Sequence, residues 1–273
     1  GLMVASGSKR SISDPSVEQV WIMKSARIGY TKIVGHAIGY YIHNDPCPIM
    51  VVQPTVEDAE GYSKEEIAPM LRDTPVLREI VPESKSRDGQ NTILNKQFPG
   101  GSLSLVGANS PRGFRRVSRR VVIFDEIDGY PPSAGSEGDQ IKLGIRRTEY
   151  YWNRKIIGGS TPTIAGYSRI ERQFERGDRR YFRVPCPHCD HADVLVFSEN
   201  RNERGHFMRW DAGKPETAHF VCRACGGVIE HRHKRWMIEE ADRRQRDGEE
   251  GIGWVAEGEF KGIASFHVWA AYS

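Results

Sequence analysis

Three groups of residues have types and spacings that could do chemistry. The first is Lys24-Ser25-Ala26-Arg27-Ile28-Gly29-Tyr30-Thr31-Lys32, which follows the apolar run Gln19 to Met23 and leads into a helix-like stretch. Strand, loop and helix in that order make a phosphate cradle: loop amides and the helix N-terminus wrap a phosphate, a lysine neutralises the transferring group and a hydroxyl ligates Mg²⁺. Gly29 and Thr31 stand where the G-x-x-x-x-G-K-[ST] pattern wants them. Tyr30 occupies the usual lysine place, while Lys24 stands at the position of the first glycine. A long side chain at the exit of the strand reaches the same phosphates, with Lys32 as the fallback donor. Taken alone, the segment reads equally well as an ordinary strand, loop and helix.

The second group closes the run Arg119-Arg120-Val121-Val122-Ile123-Phe124 with Asp125-Glu126. A strand this apolar is buried, so its terminal acids fall at the carboxyl edge of the sheet, where ligands of α/β proteins bind. In an ATPase, Asp125 would hold Mg²⁺ and Glu126 would orient the attacking water; a helix cap or a solvated turn is the plain alternative. A related strand end, Ile156 to Thr163, finishes in the small hydroxyl residues Ser160 and Thr161, which suit either a γ-phosphate-sensing switch or a simple Ser-Thr-Pro turn. The third group is Cys186-Pro-His-Cys189 and Cys222-Arg-Ala-Cys225, two knuckles offering four thiolates to one structural Zn²⁺, with four free thiols as the plain alternative. His188 and His191 are expected on the surface and Cys47 as an isolated buried thiol.

Elements must hold these groups in place. Short apolar runs alternate with amphipathic stretches from Val17 to about Gly166, the pattern of an α/β sheet. Strands are predicted at 19–23, 49–53, 103–107, 120–124 and 155–158, and helices at 31–42, 56–71 and 138–152. Gly61 and Pro69 weaken the second helix. Beyond Gly166 the chain reads as an attachment rather than more sheet, with a hairpin over 194–220 joining the knuckles and a charged helix over 231–246. That helix either lies along DNA or faces solvent. The closing stretch, Gly262 to Tyr272, reads as the approach to a further element.

With 39 basic and 36 acidic residues among 273, the balance argues for a globular chain and against disorder. The longest apolar run, Val268 to Tyr272, is five residues, where a spanning helix needs about twenty. No membrane partner is expected, and the polar start lacks the apolar core of a signal peptide. Arg112, Arg115, Arg116, Arg119 and Arg120 form the densest basic cluster. One of them, best Arg115 or Arg112, is read as an arginine finger, with Arg27 as rival. Others touch DNA phosphates, or the whole is a salt-bridged loop.

The order KSARIGYTK, VVIFDEID, GGSTPT and CPHC/CRAC resembles the ATPase region of the large terminase subunit of tailed bacteriophages, specifically the lambda-like GpA class, over roughly residues 17–273. A displaced lysine is a mark of that class. The resemblance implies a RecA-like, phosphate-loop NTPase sheet with helices on both faces, followed by a small zinc-ribbon-like module. It divides the chain into a flexible leader (1–16), the ATPase domain (17–180), a zinc-ribbon-like insertion (181–230) and a C-terminal part of the ATPase region with a linker (231–273). Carried over, Lys24, Ser25, Ala26, Arg27, Gly29, Tyr30 and Thr31 form the deviant Walker A loop, Asp125 and Glu126 form Walker B, and Ser160 to Thr163 form the coupling motif. Lys24, Glu126 and Arg115 are the catalytic set, and Cys186, Cys189, Cys222 and Cys225 bind metal. ATP, Mg²⁺ and structural Zn²⁺ are the implied cofactors. Double-stranded DNA, a small terminase subunit, a portal or procapsid and a homo-oligomeric ring are the implied partners, in the host cytoplasm. The family's nuclease domain would lie after Tyr272, and its usual adenine-contacting segment before the first strand is short or absent. A helicase-like translocase, which needs a second RecA-like domain, and a catalytically silent zinc-ribbon adaptor are the competing readings.

Overall fold

The computed structural model describes residues 12–81, 91–115, 117–199 and 204–272. Its frame is a ten-stranded mixed sheet. The strands are β1 (Gln19–Lys24), β2 (Pro48–Gln53), β3 (Asn95–Phe98), β4 (Gly101–Gly107), β5 (Val121–Asp125), β6 (Lys155–Ser160), β7 (Arg180–Pro185), β8 (Ala192–Asp193), β12 (Gly253–Ala256) and β13 (Ile263–Val268). The intervening β9 (Phe207–Asp211), β10 (Lys214–Val221) and β11 (Val228–Ile229) make a small second sheet in the order β11-β10-β9. In the main sheet the order is β12-β7-β13-β1-β6-β5-β2-β4-β3, with the short β8 paired to β7. From β7 through β4 every neighbouring pair is parallel, and β12 and β3 run antiparallel at the two edges. The carboxyl ends of β13, β1, β6, β5, β2 and β4 therefore share one edge.

Two-sided burial explains the continuous apolar runs. Side chains alternate across a strand, so Val20, Ile22, Ile49, Val51, Ile123 and Ile157 enter one core, while Trp21, Met50, Val52, Phe124 and Ile156 enter the other. Helix α1 (Tyr30–His43) lays Ile33, Val34, Ala37, Ile38, Tyr41 and Ile42 on the first face. Ile141 of α5 (Gln140–Arg146) and Ile170 of α6 (Arg169–Arg176) cover the second. Each such side chain taken fully from water contributes about 1.5–3 kcal/mol.

The helical stretch after β2 is broken as its sequence suggested. Thr55 and Asp58 form a capping box for α2 (Val56–Tyr62). A π-turn over Ser63–Ile67 then precedes α3 (Ala68–Asp73), and α4 (Pro75–Ile80) follows. Pro69 has no N–H to give the preceding turn, and the wider π geometry sits directly before it. The helix expected over 138–152 is confined to α5. Beyond it Tyr150 and Trp152 are 83 % and 90 % exposed, with no core to hold a further turn.

The expectation that sheet ends near Gly166 is corrected: β7, β12 and β13 all join the main sheet, and β13 lies directly against β1. Its apolar signal is short and interrupted by Ser265 and His267, although Ala264, Phe266 and Val268 are as buried as the earlier strands. Helix α7 (Lys234–Arg246) carries i,i+4 ion pairs such as Arg235–Glu239 and Arg243–Asp247 outward, and buries Met237 and Ala241. Residues 1–11 of the expected leader and Arg116 lie outside the described residues. Ile12 is buried, and its carbonyl accepts a bond from the Tyr41 hydroxyl at 3.0 Å.

Candidate active site

Strand β1 delivers Lys24 to the shared carboxyl edge, 5 % exposed. The loop then turns through Arg27 (φ 61°) and Gly29 (φ 83°) into α1. Gly29 is the N-cap, and it supplies no side-chain acceptor to the helix. No acid stands in the first turn either. The leading amides of a 14-residue helix thus keep their pull on an anion. Thr31 is half-buried in that first turn, and Ser25 and Ala26 span the loop's entry. The Ser25 amide donates to the Val268 carbonyl at 3.1 Å, so β13 fixes where the loop leaves the sheet.

Tyr30 does not take lysine's role. Its ring is buried, and it leans on β6, where a Cβ added at Gly159 would lie 2.4 Å from the ring. On β6 the neighbouring Gly158 meets Trp21 equally closely, at 2.1 Å. The paired glycines are therefore required by two aromatic side chains pressing on one strand. Burial and the nearby Asp125 push the Tyr30 hydroxyl well above its ordinary pKa. The Lys24 ammonium lies 5.2 Å from the Tyr30 ring centroid.

Strand β5 brings the acids to the same place. Asp125 is 7 % exposed, and burial raises its carboxyl to about 6 although the Gln53 amide donates to it at 3.0 Å. Glu126 holds φ 49°, a left-handed geometry uncommon outside glycine, Asn and Asp. Its side chain turns back over the edge, where Lys24 Nζ meets Oε1 at 2.5 Å. The other oxygen, Oε2, accepts from Ser160 Oγ and from the Thr161 amide, both at 3.3 Å. The lysine, acid and strand-end hydroxyl singled out from three separate segments thus meet at one sheet edge.

Two neighbours escaped sequence reasoning. Gln53 ends an apolar strand at the active edge, a signal visible in PIMVVQ. Asp128 is the third acid of DEID. Its amide donates to Ser160 Oγ at 3.1 Å, Oδ2 accepts from the Thr163 amide and hydroxyl, both at 3.0 Å, and Oδ1 accepts from the Ile170 amide at 2.9 Å.

The arginines disperse. Arg119 donates to Ser102 and Ser104, and Arg120 pairs with Asp45, so both are tied internally rather than offered to phosphates. Arg115 is exposed and paired with Glu137; Arg112 and Arg27 are exposed. Lys32 is engaged by Glu66 at 2.6 Å, away from Lys24's partners.

The cysteines form a second centre. Each knuckle is a hairpin turn, the first between β7 and β8, the second between β10 and β11. The turns share one bonding pattern: Cys186 N to His191 O at 3.0 Å and Asp190 N to Cys186 O at 3.0 Å, matched by Cys222 N to Gly227 O and Gly226 N to Cys222 O at 2.9 Å. Asp190 (φ 62°) and Gly226 (φ 73°) occupy equivalent left-handed positions. The four sulfurs lie within 4.8 Å of one another, with Cys186–Cys225 at 3.9 Å and Cys189–Cys222 at 3.7 Å. Zinc bound tetrahedrally at about 2.3 Å sets sulfurs about 3.8 Å apart, so the donors fit it. His188 Nε2 is bonded to the Val228 carbonyl at 2.7 Å, and Cys47 is buried in the core.

A parallel sheet with a strand–loop–helix turn, twin acids and a strand-end hydroxyl on one edge has a nucleotide-hydrolase architecture of the phosphate-loop type. Within that class the chain belongs to the family described as phage terminase large subunit gpA, ATPase domain, which matches residues 5–242. It is 31 % identical to the terminase large subunit of Enterobacteria phage P21 over 277 residues, covering 98 % of this chain and 42 % of that protein. Against the terminase large subunit of Escherichia phage lambda it is 29 % identical, covering 94 % and 41 %. The chain thus spans less than half the length of these relatives. A solved ATPase domain of the Thermus phage P74-26 large terminase is 14 % identical with a TM-score of 0.47, covering 92 % of this chain and 76 % of that one. No helix among the described residues is long and apolar enough to cross a membrane.

Proposed function

We propose that this chain is the ATP-hydrolysing part of a DNA-packaging motor, with residues 17–180 supplying the nucleotide site, 181–230 the zinc-holding insertion and 231–273 its C-terminal support. The observation that carries the reading is the convergence of Lys24, Glu126 and Ser160 at one sheet edge, fixed by the 2.5 Å contact between the first two. Lys24 is tied to Glu126 until a triphosphate competes for the amine. Once Lys24 turns to the phosphates, Glu126 is free to orient water for in-line attack on the γ-phosphorus, whose bond to the bridging oxygen breaks to give ADP and phosphate. The loop amides after Lys24 bind the phosphates, and Thr31 and Asp125 would hold Mg²⁺, which neutralises charge on the phosphate oxygens. Arg115 is the arginine offered to a neighbouring copy in a ring. The four cysteines would hold Zn²⁺ as a structural centre.

Double-stranded DNA is the moved substrate, and a small terminase subunit and a portal or procapsid are the partners, in the host cytoplasm. Endonuclease action is assigned outside these 273 residues. A two-domain helicase would need a second RecA-like sheet; the described residues hold one ten-stranded sheet, which takes in β7, β12 and β13, and one of three strands. ATP turnover and fluorescent-nucleotide binding by Lys24→Ala and Glu126→Gln test the site. Both variants should lose hydrolysis by about 10²-fold or more, with Glu126→Gln still binding nucleotide. Normal turnover by both would remove the assignment, and a parent chain that binds nucleotide without turning it over would favour the silent adaptor.

A further inference from the structure

Asp128 has no place in the reaction described above, yet its carboxylate accepts three hydrogen bonds, as many as that of Glu126. It follows Walker B by two residues, in the 3₁₀ turn Ile127–Gly129. One oxygen takes the amide and hydroxyl of Thr163; the other takes the amide of Ile170 in the first turn of α6. Its own amide holds Ser160 Oγ, the hydroxyl that also reaches Glu126. A single residue therefore ties together the turn after β5, the segment leaving β6 and the start of α6. The segment it holds carries Ile164 and Tyr167, 66 % and 81 % exposed, and ends where the Ser168 hydroxyl caps α6 by accepting from the Glu171 amide at 3.2 Å.

Helix α6 in turn reaches across β1 to β13. The Phe174 carbonyl accepts from Ser265 Oγ at 2.8 Å, and Ser265's amide donates to Asp178 at 3.0 Å, so the helix end is fastened to β13. Any displacement of Glu126 that pulls on Ser160 and Thr161 is thus carried into α6 only if Asp128 keeps the three segments in register.

We infer that Asp128 is a positioning residue that holds the Ser160–Thr163 segment against Glu126 and transmits that segment's position to α6. This rests on the ATPase reading and adds a part to it: the carboxylate is engaged by Thr163 and Ile170, and it sets where Glu126's partners Ser160 and Thr161 stand. Misplacing a catalytic group by about 1 Å slows an enzyme by about 10²-fold without removing a substrate contact. The expected signature is accordingly a fall in kcat with KM and nucleotide affinity held.

The test compares Asp128→Ala, Asp128→Asn, Thr163→Val and Thr163→Ser in steady-state ATP hydrolysis, with melting temperature and fluorescent-nucleotide affinity measured alongside. Asp128→Ala should lower kcat about 10²-fold with KM within about twofold of the parent, and Asp128→Asn should fall between the two. Thr163→Val, which removes one hydroxyl from the same carboxylate, should lower kcat about threefold to tenfold, with Thr163→Ser close to the parent. Combined with Asp128→Ala, Thr163→Val should cost nothing more, because both remove one linkage. The inference is overturned if kcat in Asp128→Ala stays within about twofold of the parent, or if kcat and nucleotide affinity fall together. Should Asp128→Ala fail to fold, the Thr163 pair decides: equal kcat in Thr163→Val, Thr163→Ser and parent overturns the inference, and the graded loss supports it. Failure of the ATPase reading is recognised separately, by a parent chain without Glu126-dependent hydrolysis.

Discussion

The nucleotide crevice and the cysteine centre are built on opposite terms. In the cysteine centre four donors already stand at a spacing that would suit zinc, fixed by two matching hairpin turns and by Arg244, which grips Asp190 at 2.6 Å. In the crevice the amine and carboxylate are engaged with each other, and Asp125 is buried against its own charge. On the proposed reading, the difference teaches that one region is organised to keep a ligand and the other to exchange one. A permanent site gains from finished geometry; a turnover site needs contacts that its substrate can displace.

The largest effect should come from breaking the finished site. Cys222→Ser, or dialysis against a strong chelator, is expected to lower stability by on the order of 5 kcal/mol, because structural zinc contributes directly to folding. Thermal unfolding paired with elemental analysis checks this, and less than about half an equivalent of zinc in the untreated protein would dissolve the contrast. The next effect belongs to Asp125. Burial makes the folded state hold its proton more tightly than the unfolded chain, so stability falls as pH rises from the ordinary value of 3.8 through about 6, by about 3 kcal/mol as an upper figure. Denaturant unfolding of Asp125→Asn should then show a gain over the parent at pH 7 that disappears near pH 4, while Mg²⁺-dependent hydrolysis is lost. A flat difference between the two pH values would mean that the crevice stores no such charge.

Smaller effects sharpen the same contrast. Gly159→Ala places a methyl against the Tyr30 ring and should destabilise by about 1–3 kcal/mol, read as a lowered melting temperature with zinc content unchanged. Arg115→Ala removes an exposed pair with Glu137 and should alter stability by less than about 1 kcal/mol. Its effect is expected instead on turnover, as loss of any rise in specific activity with protein concentration. A specific activity that rises with concentration equally in variant and parent would take the finger away from Arg115.

Much of this was legible in the residue string. Strands β1, β2, β5 and β6 announce themselves because two-sided burial leaves short continuous apolar runs, β4 by its paired leucines and Val106, and each of the first helices is marked by spacing and by its breaker. Lys24, Glu126 and Ser160 were readable because each ends such a run, so that only the sheet order remained to be supplied. The reading failed where the signal is relational. Ile263–Val268 is a modest, weakly alternating segment, and nothing local says that it pairs with Gln19–Lys24. Asp128 looks like one more surface acid, since its partners Thr163 and Ile170 are distant in sequence. Tyr30 read as a missing lysine, although its reason is the bare backbone of Gly159, a contact between two elements and not a property of either.

The bond from the Ser25 amide to the Val268 carbonyl makes the mouth of the phosphate loop depend on a strand far along the chain. Lys24 is the register partner of Val268, and β1 is clamped between β6 and β13. A substitution that loosens β13 is therefore expected to unseat Lys24 without touching any residue of the loop.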